Sequence, residues 1–186
     1  QTQTILPMIE QGFTENKIQN DQLTAIAFSR GPGSFSGVRI NAAVTQALAW
    51  VNDIPVIPVS TLQALAQAAY REVQLQEVTA VLDARMQEVY IANFSLDEHG
   101  IMQAIDEEKL FNYQQAADYV QFSVVGSGSE LVKLNQIDST SPSEMSLKHI
   151  VATAQDIAAI AQVCVSKKQW VDAEHALPVY LRDDAW

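Results

Sequence analysis

What this chain has little of narrows its possible roles first. It carries one cysteine, Cys164, in 186 residues, so no internal disulfide can form. A lone cysteine between Val163 and Val165 reads as a packed thiol in a protein of a reducing, cytoplasmic compartment. Basic residues are scarce: 11 Lys and Arg stand against 22 Asp and Glu, for a net charge of −11. A nucleic-acid binder carries a basic footprint, and here Lys167-Lys168 is the only adjacent basic pair. The chain alone is therefore not expected to grip RNA or DNA. No apolar run reaches the ~18 residues of a spanning helix. No basic amphipathic helix marks a membrane-surface protein, and no signal peptide is expected ahead of the first element. Disorder is excluded too, because 48 % of residues are hydrophobic and only 18 % charged.

Catalytic constellations are equally thin. His99, His149 and His175 form no H-x-x-x-H or H-E-x-x-H pair, so no helical metal site is expected. There is no G-x-S-x-G elbow for a serine hydrolase. Asp83, at a strand end before a turn, suits a base or metal ligand on paper, but an aspartate there more often builds the turn. No catalytic residue is assigned.

What is present alternates between short apolar runs and amphipathic stretches. Residues 1–11 read as a helix, followed by a polar stretch at 15–22. Residues 25–28 have strand length, 30–37 form a glycine-rich loop, 36–51 a helix and 55–59 a second strand. Ser60 and Gln63 make a capping box that opens a helix running to about residue 72. Then come a strand at 78–82, a tight connection at 83–86 and a strand at 88–94, which predict a hairpin. Residues 101–111 are strand-like, 113–119 a short helix, 122–125 a strand and 126–129 a second glycine turn. A polar loop over 138–146 precedes a helix at 150–165, with Ile150, Ala154, Ile157, Ala161 and Cys164 on one stripe. Strands alternating with helices predict an α/β chain with a sheet in each half.

Two windows stand out. The first, Gly31-Pro32-Gly33-Ser34-Phe35-Ser36-Gly37, holds three of the seven glycines between a strand and a helix. Glycine permits close backbone approach, and a helix start offers free N–H groups, so Gly31, Gly33 and Ser34, with Gly126 and Gly128 later, are candidate nucleotide contacts. The spacing fits neither the Walker loop nor the dinucleotide fingerprint, and a plain strand-to-helix turn accounts for it equally. The second is the helix that follows. Ile40, Val44, Ala47, Leu48 and Val51 form the expected core stripe, yet Val38, Ala42 and Ala49 lie roughly opposite, and Arg39, Ala43, Gln46 and Trp50 form a third stripe. A helix apolar on several sides is buried on several sides. Either a partner or other helices of the chain cover it.

These residues resemble the bacterial TsaB (YeaZ) family. Its loop typically reads Gly-Pro-Gly-Ser-Phe-Thr-Gly-Leu-Arg-Ile, against Gly31-Pro32-Gly33-Ser34-Phe35-Ser36-Gly37-Val38-Arg39-Ile40 here. Four further segments match in order: Thr4-Ile5-Leu6-Pro7-Met8, Val59-Ser60-Thr61-Leu62, Asp83-Ala84-Arg85-Met86-Gln87-Glu88-Val89-Tyr90, and Glu174-His175-Ala176-Leu177-Pro178-Val179-Tyr180-Leu181-Arg182. The resemblance covers essentially the whole chain. It implies an actin-like ASKHA fold of two lobes, each a mixed sheet with helices: residues 1–76, and residues 77–186 with helix 150–165 docking back on the first lobe. Family members begin with strands carrying an Asp-Thr-Ser loop, and this sequence starts after that point, so the first lobe is expected to lack its first strands and expose an edge.

The resemblance also implies a function. Such chains are non-catalytic scaffolds that activate TsaD, which carries the metal-binding histidines. With TsaD and the ATPase TsaE they support transfer of a threonylcarbamoyl group to N6 of the adenosine next to the tRNA anticodon. ATP and metal then belong to the partner subunits, no cofactor is held by this chain, and tRNA is met only through the complex. Pairing with TsaD, or with a second copy when alone, uses the first two helices. Here that implies a surface of Ile5, Met8, Ile9, Val38, Arg39, Ala42, Ala43, Gln46 and Trp50. Alternative readings are a nucleotide-binding actin-like ATPase and a glycoprotease-like peptidase.

Overall fold

The computed structural model describes residues 4–133 and 147–182. The loop expected at 138–146 and the first three residues of the helix expected at 1–11 lie outside them. Helix α1 (Ile5–Asn16) runs on into the polar stretch and ends where Lys17 turns left-handed, its N–H reaching Phe13 and Thr14 carbonyls. None of its residues is fully buried. Strand β1 (Ile26–Gly31), helix α2 (Phe35–Asn52), strand β2 (Val56–Ser60) and helix α3 (Thr61–Val73) follow. β1 and β2 pair in parallel, which requires a crossover, and α2 supplies it. Beyond β2, Val171 exchanges two backbone hydrogen bonds of 2.9 Å with Val56.

The second sheet holds β3 (Glu77–Arg85), β4 (Glu88–Leu96), β5 (Met102–Ala104), β6 (Lys109–Asn112) and β7 (Ser123–Val125), in the order β5-β4-β3-β7 with β6 also on β4. β3 and β4 form the expected hairpin, and β7 runs parallel to β3. The segment expected as strand-like over 101–111 is two strands lying end to end along β4. Between them the Asp106 carboxylate accepts from the backbone N–H and the side-chain amide of Asn93, at 3.0 and 2.7 Å. A side chain thus replaces the ladder where the strand breaks. Helices α4 (Tyr113–Tyr119), α5 (Ser129–Lys133) and α6 (Ala154–Ser166) complete the chain. Among the described residues no helix is long and apolar enough to cross a membrane.

Helix α3 serves both sheets. Leu62, Leu65, Ala66, Ala68 and Ala69 pack with Val78, Ala80 and Val125 of the second sheet. Ala64 joins Ile57 and Val59 of the first sheet, with Ile160 and Ala161 of α6. Its cap is half the box the spacing suggests. The Ser60 hydroxyl accepts from the N–H of Leu62 and Gln63, but the Gln63 amide donates to the Met102 carbonyl at 2.9 Å. Gln67, buried one turn on, accepts from the Met102 N–H at 2.9 Å. Two glutamines of α3 therefore satisfy the free backbone of the short edge strand β5.

Helix α6 starts four residues later than expected, and its stripe is rotated. Asp156, Ile160 and Ala161 are buried, whereas Ala154 is exposed and Ile150 is buried ahead of the helix. Asp156 causes the rotation. One carboxylate oxygen accepts from the Thr153 N–H and hydroxyl at the helix start, and the carboxylate also receives Arg71 Nε at 2.8 Å and Nη2 at 3.1 Å. Burial pushes the Asp156 pKa up, but the Arg71 and Thr153 hydrogen bonds outweigh it and leave the carboxyl below the usual aspartate range. Cys164 is half-buried in this cluster, and burial raises its thiol pKa.

Two predictions follow from the packing. Gly126 has φ +100°, and a Cβ there would lie 2.4 Å from Leu65 Cδ2 and 2.5 Å from the Val81 carbonyl oxygen. Gly126→Ala is expected to destabilise by about 3 kcal/mol and lower the melting temperature by roughly 10 °C. A calorimetric melt like the wild type's would refute that packing. Asp156 has a depressed folded pKa, so its contribution is full above the ordinary aspartate value near ~4 and is lost as pH falls through the folded value. Asp156→Asn should lose about 2 kcal/mol at neutral pH, with Arg71 partly solvated. The deficit against wild type, read by denaturant titration, should shrink as the solution is acidified.

Candidate functional site

Two surfaces result from this arrangement. The first is a cleft of about 680 Å³ between the loop after β1 and the β3–β4 hairpin. Gly33 and Ser34 of the loop line it together with Asp83, Arg85 and Tyr90 of the hairpin and Ser127. Residues 179–182 cross it as a strap. The Val179 N–H donates to the Arg30 carbonyl at 2.8 Å. Arg39 Nε donates to the Tyr180 hydroxyl at 2.8 Å, while the guanidinium carbon sits 3.4 Å from the Phe35 ring centroid. At the far end Arg182 pairs with Glu88 at 2.6 Å and donates to the Ala84 carbonyl at 3.1 Å. The strap thereby ties the start of α2 to the hairpin.

Of the five candidate nucleotide contacts, only Gly33 and Ser34 line the cleft. Gly31 is buried with φ +102°, and a Cβ there would approach the Val179 carbonyl oxygen at 3.0 Å. Gly126 is packed as described, and a Cβ on Gly128 would meet Val81 Cγ1 at 2.5 Å. These three glycines let the chain pack against itself. Asp83 builds the turn: its carboxylate accepts from the Arg85 N–H at 2.8 Å. Among the described residues no three His, Cys, Asp or Glu side chains come together in a way that holds a metal ion.

The second surface is the outer side of α1 and α2. The buried residues of α2 are Val38, Ala42, Thr45 and Ala49. Ala42 and Ala49 pack against Phe28 and Val56 of the two strands, together with Ala176. Val38 and Ala42 therefore belong to the chain's own core and not to the expected pairing surface. The expected core stripe faces the other way: Ile40, Val44 and Leu48 are half-buried, and Ala47 and Val51 exposed. Side-chain size decides this. Small residues let the helix settle closely on the strands, and the bulkier stripe is turned outward.

The rest of the expected surface is accessible to different degrees. Ala43 is exposed, Trp50 is 70 % exposed and Met8 68 %. Ile5, Ile9, Arg39 and Gln46 are half-buried, and Arg39 is already held by Phe35 and Tyr180. Leu6 and Val51 are exposed apolar residues on the same two helices that sequence reasoning left off the surface. The signal for Val51 was its place on the bulky stripe, read as inward. Leu6, Ile9 and Phe13 share a shallow groove with Leu48 of α2.

Comparison with known proteins gives these surfaces a context. Residues 2–180 match the family model described as TsaD: tRNA N6-adenosine threonylcarbamoyltransferase. The chain is 36 % identical over 194 residues to the tRNA threonylcarbamoyladenosine biosynthesis protein TsaB of Escherichia coli K12, spanning 100 % of this chain and 82 % of that protein. It is 34 % identical to the TsaB of Haemophilus influenzae, over 98 % of this chain and 80 % of the relative. A Pseudomonas aeruginosa crystal structure of an uncharacterized protein similar to peptidase YEAZ superposes with a TM-score of 0.86 at 36 % identity, over 97 % of this chain and 83 % of the other. A second structure, YeaZ from the same organism, gives 0.83 at 33 % identity, over 96 % of this chain and 85 % of the other. The α/β fold, the ordered motifs and these matches agree: the chain belongs to the TsaB (YeaZ) family.

Proposed function

We propose that this chain is a non-catalytic scaffold subunit in tRNA threonylcarbamoyladenosine formation. It pairs with a TsaD-like catalytic subunit, and with a second copy when that subunit is absent. In this reading residues 1–76 and 77–186 belong to the two lobes of an actin-like fold. ATP and metal belong to the partners, a TsaE-like ATPase among them. tRNA is engaged only through the assembled complex, in the cytoplasm. The relatives' names support the pathway.

The observation that carries the mechanism is the outer face of the first two helices. Met8 and Leu6 of α1, and Trp50 and Val51 of α2, are each more than half exposed. Isolated exposed apolar residues are ordinary, but large apolar side chains left exposed on both of the first two helices support an interaction surface there. Ala43, and Ala47 one turn on, are small and exposed, so a partner helix can approach closely there. Trp and Arg are frequent anchors of such interfaces.

Light scattering coupled to size exclusion tests this, with the full chain alone and mixed with its cognate TsaD-like subunit. A self-dimer that gives way to a heterodimer is expected. Ala43→Glu places an unpaired charge at the contact and should weaken pairing by about a hundredfold. Its melting temperature should match the wild type's, because Ala43 is exposed. A wild-type chain that ignores the TsaD-like subunit would sink the scaffold reading. Normal pairing by the Glu variant would sink the surface assignment alone.

A further inference from the structure

The C-terminal end of α2 opens on a groove of about 630 Å³ that neither the cleft nor the pairing face accounts for. One side is the helix end, with Trp50, Asp53 and Ile54. The other is the segment after α6, with Trp170, Asp172 and Glu174. The two sides are fixed to each other. Val171 is bonded to Val56 on both backbone groups, and Ala176 is fully buried against α2 and the first sheet. The groove is therefore preformed.

Its electrostatics are one-sided. An α-helix carries a partial negative charge at its C-terminus, which a basic residue in the last turn ordinarily offsets. The 18-residue α2 has no basic residue there, and its C-cap is Asp53. Asp172 and Glu174 face it across the groove. The Asp53 and Asp172 carboxylates have no ion-pair or hydrogen-bond partner among the described residues, and Glu174 has only a 3.7 Å approach from His175. Two indole rings complete the lining, Trp50 at 70 % exposure and Trp170 at 42 %. Three carboxylates, two indole rings and a helix C-terminus in one lining are complementary to a cation with a planar, weakly hydrated head.

We infer that this groove docks an arginine-bearing segment of a partner protein. Guanidinium suits it better than ammonium because it stacks on indole while donating to carboxylates in a fork. The acidic rim repels nucleic acid, so the occupant is a protein segment. The inference rests on the scaffold reading for its setting, since Trp50 belongs both to the outer face of α2 and to the groove. The groove then gives the chain a second point of attachment, at the end of the pairing helix.

Titration of the full chain with tetra-arginine peptide, followed by intrinsic tryptophan fluorescence, tests it without any TsaD-like subunit. It can therefore fail while pairing persists, or succeed where pairing fails. Saturable quenching is expected, with tetra-lysine weaker and tetra-glutamine silent. The Asp53→Asn/Asp172→Asn double variant should bind the arginine peptide roughly tenfold more weakly. Trp170→Phe should lose much of the signal. Glu98→Gln/Glu107→Gln removes the same charge at highly exposed residues outside the groove and should bind like the wild type. Equal weakening by both double variants would mean that net charge alone attracts the peptide, and would overturn the groove. Equal binding of the two basic peptides would overturn the preference for guanidinium. No quenching, or quenching unchanged by Asp53→Asn/Asp172→Asn, would overturn the proposal outright.

Discussion

Two sheets share one helix, and the rest of the molecule is arranged around that sharing. For α3 to be covered on both flanks, its buried positions must be small enough to let both sheets approach. Ala64, Ala66, Ala68 and Ala69 meet that requirement, with Leu62 and Leu65 filling the volume toward the second sheet. Larger side chains would hold the sheets apart, since interiors pack at crystal-like density and tolerate little excess volume. The helix is then locked at both ends by polar contacts. Ser60 caps its start, and Arg71 near its end reaches the buried Asp156 of α6. An alanine-rich helix has little side chain with which to specify its own position, and these polar ends supply that specification.

The same sharing determines what is left for the outside. α3 and α6 cover the first sheet on one side and α2 covers it on the other, so among the described residues the second face of α2 is left largely uncovered. That is why the bulkier stripe of α2 lies outward, although it has the greater hydrophobicity. α1 in turn has no fully buried residue, and it meets α2 at the groove beside Leu48. The cleft arises from the same geometry. The loop after β1 and the β3–β4 hairpin come from different sheets, and the strap of residues 179–182 bridges them through Arg39–Tyr180 and Arg182–Glu88. Arg39, half-buried on α2, is thus tied to the strap.

Much of this was legible in the residues. Helix α4 and the β3–β4 hairpin fall where the apolar periodicity and turn residues put them, and β1, α2, β2 and α3 differ from the expected spans only at their ends. What was not legible shares one physical cause: partners distant in sequence. Asp156 lies inward because Arg71, 85 positions away, meets it, and nothing in the α6 stripe records that. Gln63 fits a capping box by spacing, yet its amide serves the Met102 carbonyl of an edge strand. The strand-like run over 101–111 breaks because the Asp106 carboxylate takes over the ladder at Asn93. Gly126 and Gly128 looked available to a ligand because sequence shows that a side chain is missing but not what occupies its place. On α2 the error concerned size: apolar character marked three stripes, and only close packing against β1 and β2 distinguishes the one turned inward.

The charge balance bears on how such a chain works with tRNA. At −11 it repels a phosphate backbone at long range, which favours contacts with other proteins over a direct grip on tRNA. The structure distributes its surface accordingly. Large apolar side chains stand exposed on each of the first two helices, where close packing can bury them. Acidic side chains gather at the C-terminal end of α2, where the helix dipole adds to their field. Trp50 is both an exposed apolar residue of α2 and part of the lining of the acidic groove. Apolar burial supplies most of the association energy in such contacts, while opposed charges steer approach and fix register. A partner offering an apolar helix followed by a cationic segment would meet both requirements in sequence along α2, and a partner offering only one of them would be held less firmly.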